Sequence, residues 1–138
     1  MRTLGAPAIA EGFALRALPY GRTHAFFMDD SSYAEAGGFW TRGDEATTLV
    51  FETEGETGTE ELMLLMRSGP VPTRIDVTAG TWHRSVGFAA NQLQAISLPA
   101  SANGVRVVTV RTGAWFRPSD HDPNNRDTRR LGVFVSLP

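Results

Sequence analysis

The chain has 138 residues, of which 41% are hydrophobic and 20% charged, a balance typical of one globular domain with its own core. The formal net charge of −2 at pH 7 gives no basic surface for nucleic acid, so we expect no nucleic-acid partner. There is no cysteine, which excludes disulfides and thiolate metal sites, and all 13 basic residues are arginine.

The N-terminal residues 1–12 are rich in Ala, Gly and Pro, and we interpret them as a linker or N-terminal arm before a single domain at 13–138. They lack the apolar stretch of a signal peptide. No apolar run reaches the roughly 18 residues that a membrane span needs, so we expect no membrane insertion of this segment. The chain is then either cytoplasmic or a domain of a longer protein, and we favour the second interpretation.

Short strands separated by turns follow along the rest of the chain. Alternating apolar and polar side chains, or short apolar runs bounded by turn residues, predict strands at 13–18, 24–28, 39–42, 47–53, 62–66, 73–79, 81–88, 93–98, 105–112 and 131–137. About nine strands at this spacing, without an amphipathic helix, predict an all-β fold, an antiparallel β-sandwich that is jelly-roll-like.

Three of these segments carry more specific expectations. The unbroken apolar run at 62–66 predicts a central strand buried on both faces. The apolar phase of 105–112 slips between Val107 and Val108, which predicts a bulge or burial on two sides. The last segment, 131–137, is predicted to be an edge or pairing strand.

The densest polar chemistry lies at 115–132, W-F-R-P-S-D-H-D-P-N-N-R-D-T-R-R-L-G. Guanidinium groups and carboxylates can bond sugar hydroxyls, and an outward-facing tryptophan such as Trp40 or Trp82 can supply a stacking surface. In a sandwich, the doublets at 39–40 and 115–116 place one ring in the core and one outward. The candidate ligand-binding residues are Trp40, Arg42, Arg117, Asp120, His121, Asp122, Arg126 and Arg129.

The same segment has a second interpretation, an internal clamp that fixes the long loops. In that case Asp127 and Arg129 pair with Glu35 and Arg42, and Glu35 and Asp127 are structural. We weigh this clamp slightly ahead of the ligand site, and both interpretations stay open.

A calcium site is a further possibility for this segment. Asp120, Asp122 and Asn124 place oxygen atoms at alternating positions, as calcium loops do. The glycine of a sharp calcium turn and a closing glutamate are both missing, and Pro123 stiffens the middle, so we favour a polar turn. No other cofactor is expected.

Catalytic motifs are absent from the sequence. His24, His83 and His121 are far apart, and none stands in a metal-ligand or nucleophile motif. His24 lies on the apolar phase of its strand, which favours a buried structural role, and His83 is expected to be exposed. The densest acids, at 52–61, lie in a loop that is a poor place for shifted pKa values. We therefore expect no catalysis.

Three segments together resemble a known module. They are G-G-F-W-T-R-G at 37–43, S-G-P-V-P-T-R-I-D-V at 68–77 and F-R-P-S-D-H-D-P-N-N-R-D-T-R-R-L-G-V at 116–133. They look like the β-sandwich module at the C-terminal end of some bacterial multi-pass membrane glycosyltransferases of the dolichyl-phosphate-mannose mannosyltransferase-like type. Ser68, Thr73 and Asp120 depart from that module's pattern, which has Asn, Asn and Glu there.

The resemblance implies an accessory domain on the extracytoplasmic side, in the periplasm or cell envelope, near a membrane glycosyltransferase in the same chain or complex. Together with the Arg, Asp and Trp residues it predicts a non-catalytic carbohydrate-binding or glycan-positioning module whose partner is a glycan or polysaccharide. The alternatives are a protein–protein interaction or assembly module that uses strand edges, and a small glycan-active hydrolase or lyase.

Overall fold

The computed structural model describes residues 16–55, 58 and 60–138, and the predicted arm at 1–12 lies outside them. The described residues form eleven strands and one short helix. In chain order these are β1 (Arg16–Tyr20), β2 (Thr23–Phe27), β3 (Ser32–Glu35), β4 (Gly38–Arg42), β5 (Thr47–Thr53), β6 (Leu62–Ser68), β7 (Thr73–Ala79), β8 (Trp82–Phe88), β9 (Leu93–Leu98), β10 (Val105–Thr112), α1 (Pro118–His121) and β11 (Leu131–Ser136). No helix among the described residues is long and apolar enough to cross a membrane.

The strands form two antiparallel sheets. The six-stranded sheet has the order β1-β2-β5-β10-β7-β8, and the five-stranded sheet has the order β3-β4-β11-β6-β9. Without β1, β2 and β3 the orders are 5-10-7-8 and 4-11-6-9, which is the strand order of an eight-stranded jelly roll. The predicted all-β, antiparallel, jelly-roll-like β-sandwich is thus confirmed, with eleven strands in the described residues instead of about nine.

The core lies between the inner faces of the two sheets. Every second side chain of a strand points inward, so each strand contributes alternate apolar residues. The largest of them pack edge to face, with the ring centroids of Phe27 and Phe39 5.2 Å apart. The core residues with no exposed surface are Ala25, Phe27, Phe39, Leu49, Phe51, Leu64, Met66, Ile75, Val77, Ile96, Leu98, Val108, Val133 and Val135.

The prediction that 62–66 is buried on both faces is wrong. In β6, Leu62, Leu64 and Met66 point into the core, whereas Met63 on the outer face is 42% exposed. The strand is central in its sheet, between β11 and β9, but its outward side chains belong to the outer face of the sandwich. Although the residues are all apolar, their side chains alternate between the core and the outer face.

The bulge predicted for 105–112 does not occur, because β10 pairs with β5 in continuous register from Val105 to Val110. The inward positions include Arg106, which is 6% exposed, while Val107 points outward and is 55% exposed. The guanidinium of Arg106 donates from Nε to the Pro99 carbonyl at 2.9 Å. A buried arginine, and not the neighbouring Val107, therefore takes the inward position before Val108.

Three further differences concern strand roles and histidines. Of the two alternatives for 131–137, the structure shows the pairing strand and not the edge, because β11 pairs with both β4 and β6. The edge strand β3 was not expected from the sequence. His24 is half-buried on the outer face of β2, instead of buried, while His83 is exposed as expected and lies 3.6 Å from an Asp76 carboxylate oxygen.

Candidate functional site

One side chain from each strand of the five-stranded sheet lies in a row across its outer face. Tyr33 of β3 pairs with Trp40 of β4, which pairs with Phe134 of β11. Phe134 pairs with Arg67 of β6, which pairs with Leu93 of β9. Directly opposed residues of adjacent strands point to the same face, so these five side chains form one row, which we call the outer row.

The outer row begins with three aromatic residues that are half-buried and ends with two exposed residues, Arg67 and Leu93. Trp40 is its centre. As the doublet pattern predicted, Phe39 points into the core and Trp40 points outward. The Trp40 ring lies 5.3 Å from that of Phe134 and 5.5 Å from that of Phe116, tilted by 63° and 74°. These edge-to-face contacts hold the indole in one orientation.

Two arginines flank this aromatic centre. The guanidinium carbon of Arg129 lies 4.6 Å from the centroid of the Tyr33 ring, and that of Arg67 lies 5.6 Å from the centroid of Phe134. A guanidinium over an aromatic ring is attracted by the electron density of the ring face. Arg67 and Arg129 therefore stand on opposite sides of Trp40 along the row.

The connection between β10 and β11 folds back against the outer face of this sheet. At its base, Phe116 and Leu131 exchange backbone hydrogen bonds of 3.0 and 2.9 Å. Gly69 lies against the Phe116 ring so closely that a Cβ atom at this position would be 2.1 Å from its Cε1. The absence of a side chain at residue 69 therefore lets Phe116 reach its place beside Trp40.

Three successive Asx turns shape the tip of this connection. Asp122 Oδ1 accepts the backbone N–H of Asn124 at 2.9 Å, Asn125 Oδ1 accepts that of Asp127 at 2.8 Å, and Asp127 Oδ1 accepts that of Arg129 at 3.0 Å. Asn and Asp favour such turns because their short side chains reach the backbone two residues on. The Asp and Asn spacing of the sequence thus has a local structural cause.

Asp127 also holds the Arg129 side chain. Its Oδ1 accepts Nε at 3.0 Å, and its Oδ2 accepts Nη2 at 2.7 Å, a two-pronged contact. This hydrogen bonding lowers the pKa of Asp127 below its ordinary value, although desolvation opposes it. It likewise raises the pKa of Arg129, with a smaller contribution from the charge of Glu35. The Asp127–Arg129 pair is therefore ionised at neutral pH.

A second group of charges lies beside this pair. Arg42 does not pair with Asp127; it contacts Asp44 at 3.1 Å and Glu45 at 3.2 Å, while Arg130 contacts the other Asp44 oxygen at 3.1 Å. Desolvation raises the pKa of Asp44, but hydrogen bonds from its own backbone N–H and from Arg130 and Arg42 outweigh it and leave the pKa lowered. Asp44 thus joins the β4–β5 turn to the β10–β11 connection.

Trp115 is the aromatic member of this second group. The guanidinium carbons of Arg117 and Arg130 lie 5.2 and 4.9 Å from the centroid of its ring. The tryptophan is 38% exposed. Gly43 packs closely against it, because an added Cβ at residue 43 would lie 2.1 Å from the Trp115 Cβ. Arg117 is therefore engaged with Trp115, outside the outer row.

A groove of about 360 Å³ runs between the outer face of the five-stranded sheet and the β10–β11 connection. We call it the outer groove. Its apolar lining includes Trp40, Phe116 and Leu131, together with Pro70 and Pro118. Its polar side chains are Glu35, Arg67, Ser68, Asn91, Asn125, Asp127 and Arg129. A neighbouring depression of about 340 Å³, lined by Tyr33, Arg42, Asp44, Thr128, Arg129 and Arg130, shares Arg129 with the groove.

The structure brings together some of the residues singled out in the sequence and leaves others apart. Trp40, Glu35, Asp127 and Arg129 line the outer groove, and Arg42 lines the neighbouring depression. His121 packs against Phe116, with the ring centroids 6.1 Å apart. Arg117 lies over Trp115, and the remaining three candidates are exposed and line neither space: Asp120, Asp122 and Arg126. Trp82 packs against the core, on the other sheet.

Several groove residues were missed as site candidates from the sequence, among them Arg67, Asn91, Asn125 and Phe116. Phe116 and Asn125 lie inside the segment that the sequence singled out. Arg67 and Asn91 come from β6 and from the β8–β9 turn, which only the strand order brings to the groove. The structure places Met63, Leu65 and Arg67 on the outer face of β6, a phase that the unbroken apolar run at 62–66 hides in the sequence.

The calcium hypothesis finds no supporting cluster in the part of the chain that the structure describes. No three His, Asp or Glu side chains there are grouped so that they could share a metal ion. Of the three proposed ligands, Asp122 already uses one carboxylate oxygen in the turn to Asn124.

The outer groove combines aromatic and polar side chains around Trp40. An orientated indole lies between two guanidinium groups, and side-chain amides and carboxylates surround it. None of the three histidines lines the groove, and the hydroxyl of Ser68 at its rim donates to the Ala89 carbonyl at 2.6 Å.

Neither a family model, nor a curated protein, nor a solved structure matches this chain.

Proposed function

We propose that this domain is a non-catalytic carbohydrate-binding module that holds a glycan in the outer groove. The observation that carries the proposal is the outer row, in which Trp40 lies between Arg129 over Tyr33 and Arg67 over Phe134. A sugar ring offers an apolar C–H face to an aromatic ring and hydroxyl groups to polar side chains. The outer row provides partners for both.

Trp40 supports the proposal through its fixed orientation. Its contacts with Phe116 and Phe134 restrain the ring before any ligand arrives, so little side-chain freedom is lost on binding. The indole is half-buried and lines the groove, so part of its surface stays accessible to a ligand. Large, rigid aromatic residues of this kind contribute much of the contact energy in binding sites.

The polar groups support the proposal through their variety. The groove offers guanidinium and amide donors, together with carboxylate and amide acceptors, and sugar hydroxyls both donate and accept. The Asp127–Arg129 pair is already formed, which avoids the cost of ordering the long Arg129 side chain on binding. Because Tyr33 and Arg67 are three strand spacings of about 4.8 Å apart, the part of the row from Tyr33 to Arg67 is roughly 14 Å long. That length suits a short oligosaccharide better than one sugar.

The cellular role follows from the resemblance of three sequence segments to the glycosyltransferase-associated module. We place the domain on the extracytoplasmic side of the membrane, where it positions a glycan for a cell-envelope glycosyltransferase in the same chain or complex. The groove residues Trp40, Asp127 and Arg129 lie in two of those segments.

A glycan array probed with the purified chain tests the proposal. Retention of a defined set of glycans supports it, provided that a competing free oligosaccharide removes the protein from the array. A blank array with folded protein overturns it. In that case a mass that rises with concentration would favour the assembly module, and cleavage of an oligosaccharide would favour the hydrolase or lyase.

A further inference from the structure

We infer that the outer groove selects glycans that carry an anionic substituent, and that Arg67 binds this group. The substituent is a carboxylate, as in a uronic acid, or a phosphate or sulfate ester, because a guanidinium pairs with each of them. The inference rests on the proposed function and specifies which class of glycan the groove takes. It comes from the charge partners of the arginines around Trp40.

Three of the arginines that line the two spaces already have carboxylate partners. Arg129 pairs with Asp127 at 2.7 Å, Arg42 with Asp44 at 3.1 Å, and Arg130 with Asp44 at 3.1 Å. The carboxylate partner offsets the positive charge of the guanidinium and occupies some of its N–H groups, so a further anion is attracted less strongly. These three arginines are therefore suited to neutral hydroxyl groups.

Arg67 is different. No carboxylate of the described residues lies within ion-pairing distance of its guanidinium. The guanidinium carbon lies 5.6 Å from the centroid of the Phe134 ring, a cation–π contact. A ring contact uses the flat face of the guanidinium and leaves its N–H groups at the edge free to donate. The side chain lines the groove and is exposed.

The distribution of charge along the groove gives the ligand a direction. Near Arg129, two carboxylates, those of Glu35 and Asp127, act on one guanidinium. An anionic group is repelled there and attracted at the Arg67 end, across Trp40. Asn91 also lines the groove and has a side-chain amide that can donate to an oxyanion. A glycan with an acidic group at one end therefore has a preferred orientation.

Matched oligosaccharides test the inference. The whole chain is titrated with a neutral trisaccharide from the array, with its uronic-acid counterpart and with its phosphate ester. We expect wild type to bind at least one acidic form about tenfold more tightly than the neutral form. Arg67→Gln is expected to lower the affinity for the acidic form more than the affinity for the neutral form, so that this variant binds the two forms about equally. The acidic form that wild type prefers distinguishes a carboxylate from a phosphate ligand.

The control is Arg84→Gln, on the edge strand β8 of the other sheet. Arg84 is exposed, so its replacement removes the same charge far from the outer groove. It is expected to keep the acidic preference, since the effect belongs to a local contact. Arg67→Lys, which keeps the charge but loses the planar fork, is expected to lie between wild type and Arg67→Gln.

Two results would overturn the inference. Equal affinity of wild type for neutral and acidic forms would remove the anionic selectivity while the proposed function stands. Equal loss of affinity for the acidic glycan in Arg67→Gln and Arg84→Gln would mean that the preference comes from the net charge of the domain and not from a site at Arg67. If wild type binds none of the three trisaccharides and no other glycan, the proposed function fails as well.

Discussion

The guanidinium carbon of Arg129 lies 4.6 Å from the centroid of the Tyr33 ring, while Asp127 holds the edge of the same guanidinium through Nε and Nη2. This relationship joins the β10–β11 connection to the edge strand of the five-stranded sheet. The predicted clamp required salt bridges between Asp127 or Arg129 and Glu35 or Arg42. A local Asp–Arg pair stacked on a tyrosine performs the same joining function.

Replacing Arg129 with Ala tests this contact. We expect Arg129→Ala to lower the free energy of unfolding by about 0.5–1 kcal/mol, because an exposed ion pair and a cation–π contact each contribute little. Glycan affinity should fall about tenfold, since the β10–β11 connection is no longer held against Tyr33 and the groove loses a hydrogen-bond donor. Calorimetric titration and denaturant unfolding measure the two effects separately.

Arg126→Ala is the matched control, because Arg126 is exposed on the same connection and does not line the groove. It should leave both stability and affinity unchanged. If Arg126→Ala and Arg129→Ala weaken binding equally, the Arg129–Tyr33 contact has no specific role.

The acid dependence of stability tests the Asp127–Arg129 pair. The hydrogen bond from Arg129 lowers the pKa of Asp127 in the folded state, so the pair stabilises the fold above the unfolded pKa of about 3.9. That contribution is lost as the pH falls through the lower, folded pKa. Asp127→Asn keeps an acceptor for the turn but removes the charge. We expect it to be about 0.5 kcal/mol less stable at pH 6, with the difference fading below about pH 4.

Thermal unfolding of both proteins between pH 6 and pH 3 measures this difference. Asp122→Asn is the control, because Asp122 makes the equivalent turn to Asn124 without an ion pair to any described residue. A stability difference for Asp127→Asn that stays constant down to pH 3 would show that charge at residue 127 does not matter.

The contact between Gly69 and Phe116 makes a separate prediction about packing. A Cβ at residue 69 would lie 2.1 Å from Phe116 Cε1, so Gly69→Ala must displace a ring that is only 7% exposed. We expect a loss of about 1–3 kcal/mol in unfolding free energy, the usual range for overpacking. Tryptophan emission should also shift, because Phe116 contacts Trp40.

Gly37→Ala is the control for this substitution, since a Cβ at residue 37 would meet no atom within 4 Å. It should unfold like wild type. Equal stability of Gly69→Ala and Gly37→Ala would mean that Phe116 can move without cost, and the groove would then lack a fixed floor.

Much of the fold follows from local patterns in the sequence. The predicted bounds of Thr47–Thr53, Thr73–Ala79, Leu93–Leu98 and Val105–Thr112 agree with the structure, because alternation and flanking turn residues define each strand. The strand Ser32–Glu35 was missed because its polar residues and its four-residue length resemble a loop. Its pairing with β4 is a tertiary effect that no local pattern contains.

The candidate site was only partly predictable. Trp40 and Arg129 stand in conspicuous sequence contexts, but Arg67 follows an apolar run that hides its outward phase. Whether Arg67 faces Phe134 depends on the order of β6 and β11, which are far apart in the chain. Arg117 is the opposite case, because its sequence neighbours suggested a ligand site, whereas its side chain lies over Trp115 and does not line the outer groove.

The most direct test of the proposed function compares Trp40→Ala with Trp115→Ala. Both remove an outward tryptophan, but only Trp40 lines the outer groove. With the tightest-binding glycan from the array, calorimetric titration should show at least about tenfold weaker binding for Trp40→Ala. Trp115→Ala should retain wild-type affinity, and both variants should still unfold cooperatively. Wild-type affinity in folded Trp40→Ala would contradict the proposal, as would a Trp115→Ala protein that loses binding equally.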